Sequence, residues 1–154
     1  MADFVFNQAL GRIRTFFDNA AGAVAASQIV CILMQAAGTD AADRDFDDIA
    51  ALLGGASNEA TFTNYVRKDI EDGAITVTID DTNERVDIDI PDQTWTAAGG
   101  GTNNTLTDAV FAYDSTGSAT DANLIPISRH DFTPTTDGSD LTLQVDAAGL
   151  LRAS

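Results

Sequence analysis

Between residues 75 and 90 branched apolar side chains alternate with small polar or acidic ones, a period-2 pattern that a helix cannot place on one face. Ile75, Val77 and Ile79 are interleaved with Thr76 and Thr78, and Val86, Ile88 and Ile90 with Asp87 and Asp89. Asp81-Thr82-Asn83 lies between the two runs, so they read as an antiparallel hairpin with one buried and one wet face. Pro91 closes the second run because it brings no amide donor to a ladder.

Other segments extend the β reading. The stretch 28–35 contains the unbroken apolar run 29–34, the signature of a strand covered on both faces. A short strand is expected over Tyr65-Val66-Arg67, ahead of the Asp72-Gly73 turn, and further strands over 109–113, 123–128 and 141–145. In the last of these Leu141, Leu143 and Val145 alternate cleanly. Residues 1–55 have a different texture, rich in Ala and Leu. Within 3–17, Phe4 and Phe6 permit a strand, while Leu10, Ile13, Phe16 and Phe17 recur at helical spacing, which predicts a strand followed by a short helix. A second helix is expected with Asp43 or Asp45 as its cap, Phe46, Ile49, Ala50 and Leu53 on one face, and Gly54-Gly55 as its stop. The expected fold class is mainly β with a small α element: an antiparallel β-sandwich or small barrel carrying one or two short N-terminal helices. Residues 1–27 form an N-terminal arm or short helix suited to reaching a neighbouring subunit, and 28–154 a single β-rich domain.

Charge narrows the function. Twenty-four acidic residues face eight basic ones, a formal net charge of −16, so a nucleic-acid backbone would be repelled and direct DNA or RNA binding is not expected. Almost all the acid is Asp, which favours turns over long solvated helices. The longest apolar run is too short to cross a bilayer and the N-terminus lacks the pattern of a classical secretion signal, so no membrane association is expected. Cys31, the sole cysteine, sits in the apolar run and reads as a small buried hydrophobe.

The candidate chemistry is thin. Ser128, His130 and Asp131 bring together the residue types of a hydrolase, but adjacent positions rarely converge as a triad and no Gly-x-Ser-x-Gly turn presents a serine. His130 is expected to be a structural hydrogen-bonding residue at a strand end. Asp43-x-Asp45-x-Asp47 resembles the start of a calcium loop, yet Asp48 stands where that loop needs glycine and Gly54 where it needs a bidentate Glu. The pairs Asp80/Asp81 with Asp87/Asp89, and Asp137 with Asp140, could offer weak calcium contacts but read as solvated surface. Gly99-Gly100-Gly101 is followed by no lysine and does not match a phosphate loop. No catalytic residue, metal ligand or cofactor is therefore expected. Phe4, Phe6, Trp95, Leu150 and Leu151 are the candidate interface residues, as apolar groups on possible arms or, for Trp95, an aromatic anchor, with core packing the favoured alternative for the tryptophan; the apolar ending 149–154 is expected to dock on its own sheet or a neighbour's.

The segment 80–98 (DDTNERVDIDIPDQTWTAA), followed by Asn103-Asn104-Thr105, His130-Asp131-Phe132 and the terminal Arg152-Ala153-Ser154, resembles a family of small tailed-bacteriophage virion structural proteins. The similarity covers 28–154, with 80–98 its most specific part. It implies a minor capsid or decoration protein present in many copies on the outer shell, with the major capsid protein or other virion proteins as partners, homo-oligomers, and a virion location after assembly in the host cytoplasm. A minor tail, baseplate or fibre-adaptor protein is the alternative, and a calcium- or carbohydrate-binding β-module a third reading. The resemblance carries over no catalytic residue.

Overall fold

In a computed structural model, which describes residues 3–153, the apolar run forms the spine of the molecule. Strand β2 (Gln28–Ala36) is apolar throughout because both its faces are covered. Ile29, Cys31 and Leu33 enter one core, and Val30, Ile32 and Met34 enter the other. Against β2 runs β8 (Asp108–Asp114), antiparallel from Gln28↔Asp114 to Met34↔Asp108. β9 (Leu124–Asp131) follows it, and a bulge lets Ile127 slip between the pairs Ala112↔Pro126 and Phe111↔Ser128. β1 (Phe4–Val5) lines the outer edge of β9. The other edge of β2 is shared by β3 (Asn58–Glu59) and β4 (Lys68–Ile70).

Short helices cover one face of this sheet, and a helix together with a second sheet covers the other. α1 (Ile13–Asp18) sends Phe16 and Phe17 into the first core, where Phe16 stacks on Tyr113 with ring centroids 4.8 Å apart. The first core also receives Ile75, Ile88 and Ile90 from the hairpin β5 (Thr76–Asp80) and β6 (Arg85–Asp89), the period-2 segment of the sequence. The hairpin leaves that core towards its turn: Ile88 is fully buried, Val77 is half-buried, and Ile79 is 54% exposed. β7 (Gln93–Trp95) and β10 (Leu141–Leu143) form a separate antiparallel pair. β11 (Leu151–Ala153) adds to the edge of β6, so the apolar C-terminal segment docks on its own sheet. All these pairings are antiparallel, and the fold is mainly β with a small α element, as the alternation predicts.

Three local expectations are corrected. In place of one helix capped by Asp43 or Asp45 there are two short ones, α2 (Asp40–Asp43) capped by Thr39 and α3 (Ile49–Gly54) capped by Asp48, whose carboxylate accepts from the Ala51 amide at 2.7 Å. Because α3 starts only at Ile49, its buried face is Ile49 and Leu52, and Ala50 is exposed. The strand expected over 65–67 lies at Lys68–Ile70, since Tyr65 and Arg67 are engaged through their side chains: Glu59 accepts from Tyr65 Oη at 2.8 Å and from both Nε and Nη2 of Arg67. The described part of the N-terminal segment packs within the same body, with Phe6, Phe16 and Phe17 among the most buried side chains. Among the described residues no helix is long and apolar enough to cross a membrane.

Candidate functional site

Strand alternation puts Ser128 and His130 on the same side of β9. Ser128 Oγ lies 3.1 Å from His130 Nε2, and Asp3 Oδ2 lies 3.4 Å from His130 Nδ1. Both ring nitrogens of His130 are thus engaged, Nδ1 by the Asp3 carboxylate and Nε2 by the Ser128 hydroxyl. That is the connectivity of a Ser-His-Asp triad, supplied by Asp3 and not by the neighbouring Asp131 that the sequence suggests. Access decides against a nucleophile. Ser128 has no exposed surface and does not line the cleft of about 550 Å³ beside it, whose walls include Asp3, Phe111, His130, Phe132, Leu143 and Leu150. The trio also ties Asp3 to the end of β9: Asp3 Oδ1 accepts from the Asp131 amide at 2.8 Å, and the His130 ring meets Phe111 edge-on at 5.7 Å. Replacing Ser128 by Ala should cost about 1 kcal/mol in denaturant unfolding, the net worth of one buried hydrogen bond. An esterase activity that disappeared in the same variant would contradict this account.

On the opposite face of β9, Arg129 is 1% exposed and charged. Its Nε donates to Asp108 Oδ1 at 2.9 Å and its Nη1 to Asp43 Oδ2 at 2.6 Å, with Asp40 Oδ1 3.7 Å from Nη2. Ser57 Oγ donates to Asp43 Oδ2 at 2.8 Å and accepts from the Gly38 amide at 3.0 Å. Gly38 is needed there, because a Cβ would stand 2.3 Å from Asp43 Oδ1. The cluster joins β8, β9, α2 and the segment ahead of β3, and the Phe4 ring stacks over the guanidinium at 5.2 Å. A buried guanidinium between carboxylates fastens α2 to β8 and β9, with Asp40 at the outer, partly exposed end of the cluster. Sequence reasoning missed it. The available signal was Arg129 following the apolar start of β9, residues 124–127, with an acidic residue, Asp108, opening the strand β8 that pairs with it.

Several other acidic groups hold loops and turns of the scaffold. Asp43, Asp45 and Asp47 diverge, the first to Arg129, the second to the Asn7 amide side chain and the third to that of Gln8, so they do not converge on a cation. Asp80 receives the side-chain amide of Asn83 and the backbone amides of Asn83 and Thr82, which hold its carboxyl below the usual range. Burial alone would raise Asp114, but the amides of Thr116, Ala119 and Gly117 outweigh it and the carboxyl is lowered. Arg85 pairs with Asp80 and Asp87, and Asp140 accepts from the Ala97 amide. Among the described residues no group of three or more His, Cys, Asp or Glu could hold a metal ion. Burial pushes the Cys31 thiol well above its ordinary value, which keeps it protonated.

The candidate interface residues are placed as follows. Phe4 and Phe6 lie in the helix-side core, and Trp95 is 1% exposed, its indole N–H donating to the Val66 carbonyl at 2.7 Å with the Lys68 ammonium 5.4 Å from the ring centre. Leu150 and Leu151 are half-buried against their own core, and the Leu150 amide donates to the Ile88 carbonyl at 2.7 Å. Phe4, Phe6 and Trp95 are buried within the chain, whereas Leu150 and Leu151 keep part of their surface exposed and Leu150 lines the cleft beside His130. The large apolar groups that do face outwards are Leu10, Val24, Val66 and Ile79. Fold and site together define an acidic, antiparallel, mainly-β protein whose buried ionic groups fasten its parts. No protein family, no curated protein and no solved structure matches the chain.

Proposed function

We propose that the protein is a structural component of a tailed-phage particle, a decoration or minor capsid protein that binds the outer shell in many copies and works by assembly instead of catalysis. The observation that carries this reading is the form taken by 80–98, the segment on which the family resemblance rests. It builds the turn and second strand of a hairpin that leaves the core at its tip, and its roots, Ile88, Ile90 and Trp95, are among the chain's buried residues. A rigid root with an exposed, partly apolar tip suits repeated contact with a shell subunit. The carboxylates of the −16 chain would face solvent and keep free subunits apart. The major capsid protein is the proposed partner, and the virion the proposed location.

The test is add-back. Purified protein mixed with particles lacking it should bind until it reaches a fixed ratio to the major shell subunit, since equivalent lattice positions saturate together. Binding that never saturates, or no binding, would sink the proposal.

A further inference from the structure

The cleft of about 550 Å³ at the end of β9 has the size of a small-molecule site, and none of the described residues lining it belongs to β5 or β6. Its inner surface is apolar: Phe111 and Leu143 are buried there, and Phe132, Val145 and Leu150 are half-buried around them. Its ionisable lining is His130 with Asp3, Asp131 and Asp146, and no described lysine or arginine contributes. Asp3 and Asp146 are exposed, so their charges lie on the solvent side of the apolar floor.

The walls are fixed by the chain itself. On one side Asp3 is tied to the Asp131 amide. On the other, the Val145 amide donates to Asp92 Oδ1 at 2.8 Å, the Ala148 amide to Asp146 Oδ1 at 2.7 Å, and the Gly149 amide to the Asp146 carbonyl at 2.8 Å. Gly149, at a φ of +94°, passes so near the hairpin that a Cβ would stand 2.6 Å from the Ile88 carbonyl oxygen. A pocket held in this way loses little freedom when a ligand enters.

We propose that this cleft binds a small organic ammonium ion, its apolar body on Phe111, Leu143 and Leu150 and its charge towards Asp3 and Asp146. Charge selects the cation. A cleft with apolar walls and carboxylates of one sign concentrates the opposite ion, and the chain around it has a net charge of −16. The carboxylates have capacity to spare: Asp146 Oδ2 has no partner among the described residues, and Asp3 Oδ2 has only the 3.4 Å contact with His130. The floor selects the apolar body, because a neutral polar ligand would bury its hydroxyls without partners there. The assignment is independent of the virion reading and can fail or hold without it.

His130 is the only histidine, so its ring signals in a proton NMR spectrum report on the cleft alone. Titrating the whole protein with phenethylammonium at constant pH should shift them saturably, with a Kd on the order of 1 mM or tighter. Phenylethanol, the same body without the charge, should bind at least about threefold more weakly, and phenylpropanoate should not saturate. Raising salt from about 0.05 M to about 0.5 M should weaken the ammonium and leave the alcohol unchanged. Asp146→Asn keeps an oxygen for the Ala148 amide, so the fold should stand while ammonium affinity falls about threefold or more. Gln144→Lys, at an exposed position of the wall, should lower it likewise by placing a cation in the lining. The absence of a saturable shift overturns the proposal. So does an alcohol bound as tightly as the ammonium, or an affinity that both variants leave unchanged. A lysine-containing peptide bound more tightly than phenethylammonium would give the cleft to a partner protein's side chain, which also overturns the small-ligand assignment.

Discussion

Replacing Arg129 by Met should lower the free energy of unfolding by about 3–5 kcal/mol, the cost of removing one partner from a buried ion pair. The substitution strands the carboxylates of Asp43 and Asp108, both almost fully buried, without the guanidinium that each contacts within 3 Å. Whole domains commonly have only about 5–15 kcal/mol of stability, so the variant should unfold at a much lower denaturant midpoint. Arg129→Lys should recover little. A single ammonium cannot reproduce the fork that reaches Asp108 through Nε and Asp43 through Nη1. Adding Asp43→Asn and Asp108→Asn to Arg129→Met should restore part of the loss, because the triple variant removes the charges that the single one leaves uncompensated. Equilibrium unfolding of the three variants checks the set, and a near-neutral Arg129→Met would mean that the cluster is solvated.

Trp95→Ala should cost about 3–5 kcal/mol, as large-to-small changes at fully buried aromatic positions do. The indole packs in the main core and its N–H satisfies the Val66 carbonyl, so truncation opens a cavity and strands an acceptor. This separates two roles that the sequence leaves open for the residue. A core tryptophan lowers the melting temperature of the isolated chain when truncated, whereas an interface anchor leaves that temperature unchanged and loses only partner binding. Ile79→Lys gives the converse case: the side chain is 54% exposed, so the melting temperature should stay unchanged.

The fold was legible where periodicity was strong. The alternation of 75–79 and 86–90 became β5 and β6 in antiparallel register, and the apolar run 29–34 became the doubly covered strand β2. The terminal leucines were readable as a docking segment, and they dock through β11. What was illegible arose from long-range pairing. Asp43 looks like a helix cap because local sequence places it before an apolar helical stretch, yet Arg129, far along the chain, draws it into the interior. The Asp3–His130–Ser128 chain of contacts could not be read either, because Asp3 lies at the opposite end of the sequence and Asp131 is the nearer carboxylate. Exposure along the hairpin also escaped the pattern. Val77 and Ile79 are indistinguishable by alternation, and only the distance of the turn from the core exposes the second.

The same tertiary facts shape the functional reading. Phe4, Phe6 and Trp95, which a linear reading offers to a partner, are used by the fold itself, and the large apolar groups exposed among the described residues are Leu10, Val24, Val66 and Ile79. Asp43, Asp80, Asp87, Asp108, Asp114 and Asp140 hold turns, loops and ion pairs. Their abundance is thereby tied to architecture as well as to surface charge.

The most direct test of the virion proposal is a cryo-EM reconstruction of purified particles from the source of this chain. The proposal predicts density fitting this mainly-β fold at equivalent positions over the outer shell, with the hairpin of β5 and β6 against a neighbouring subunit. Density confined to the tail would contradict the decoration reading, and absence of the chain from the particles would contradict a virion role altogether.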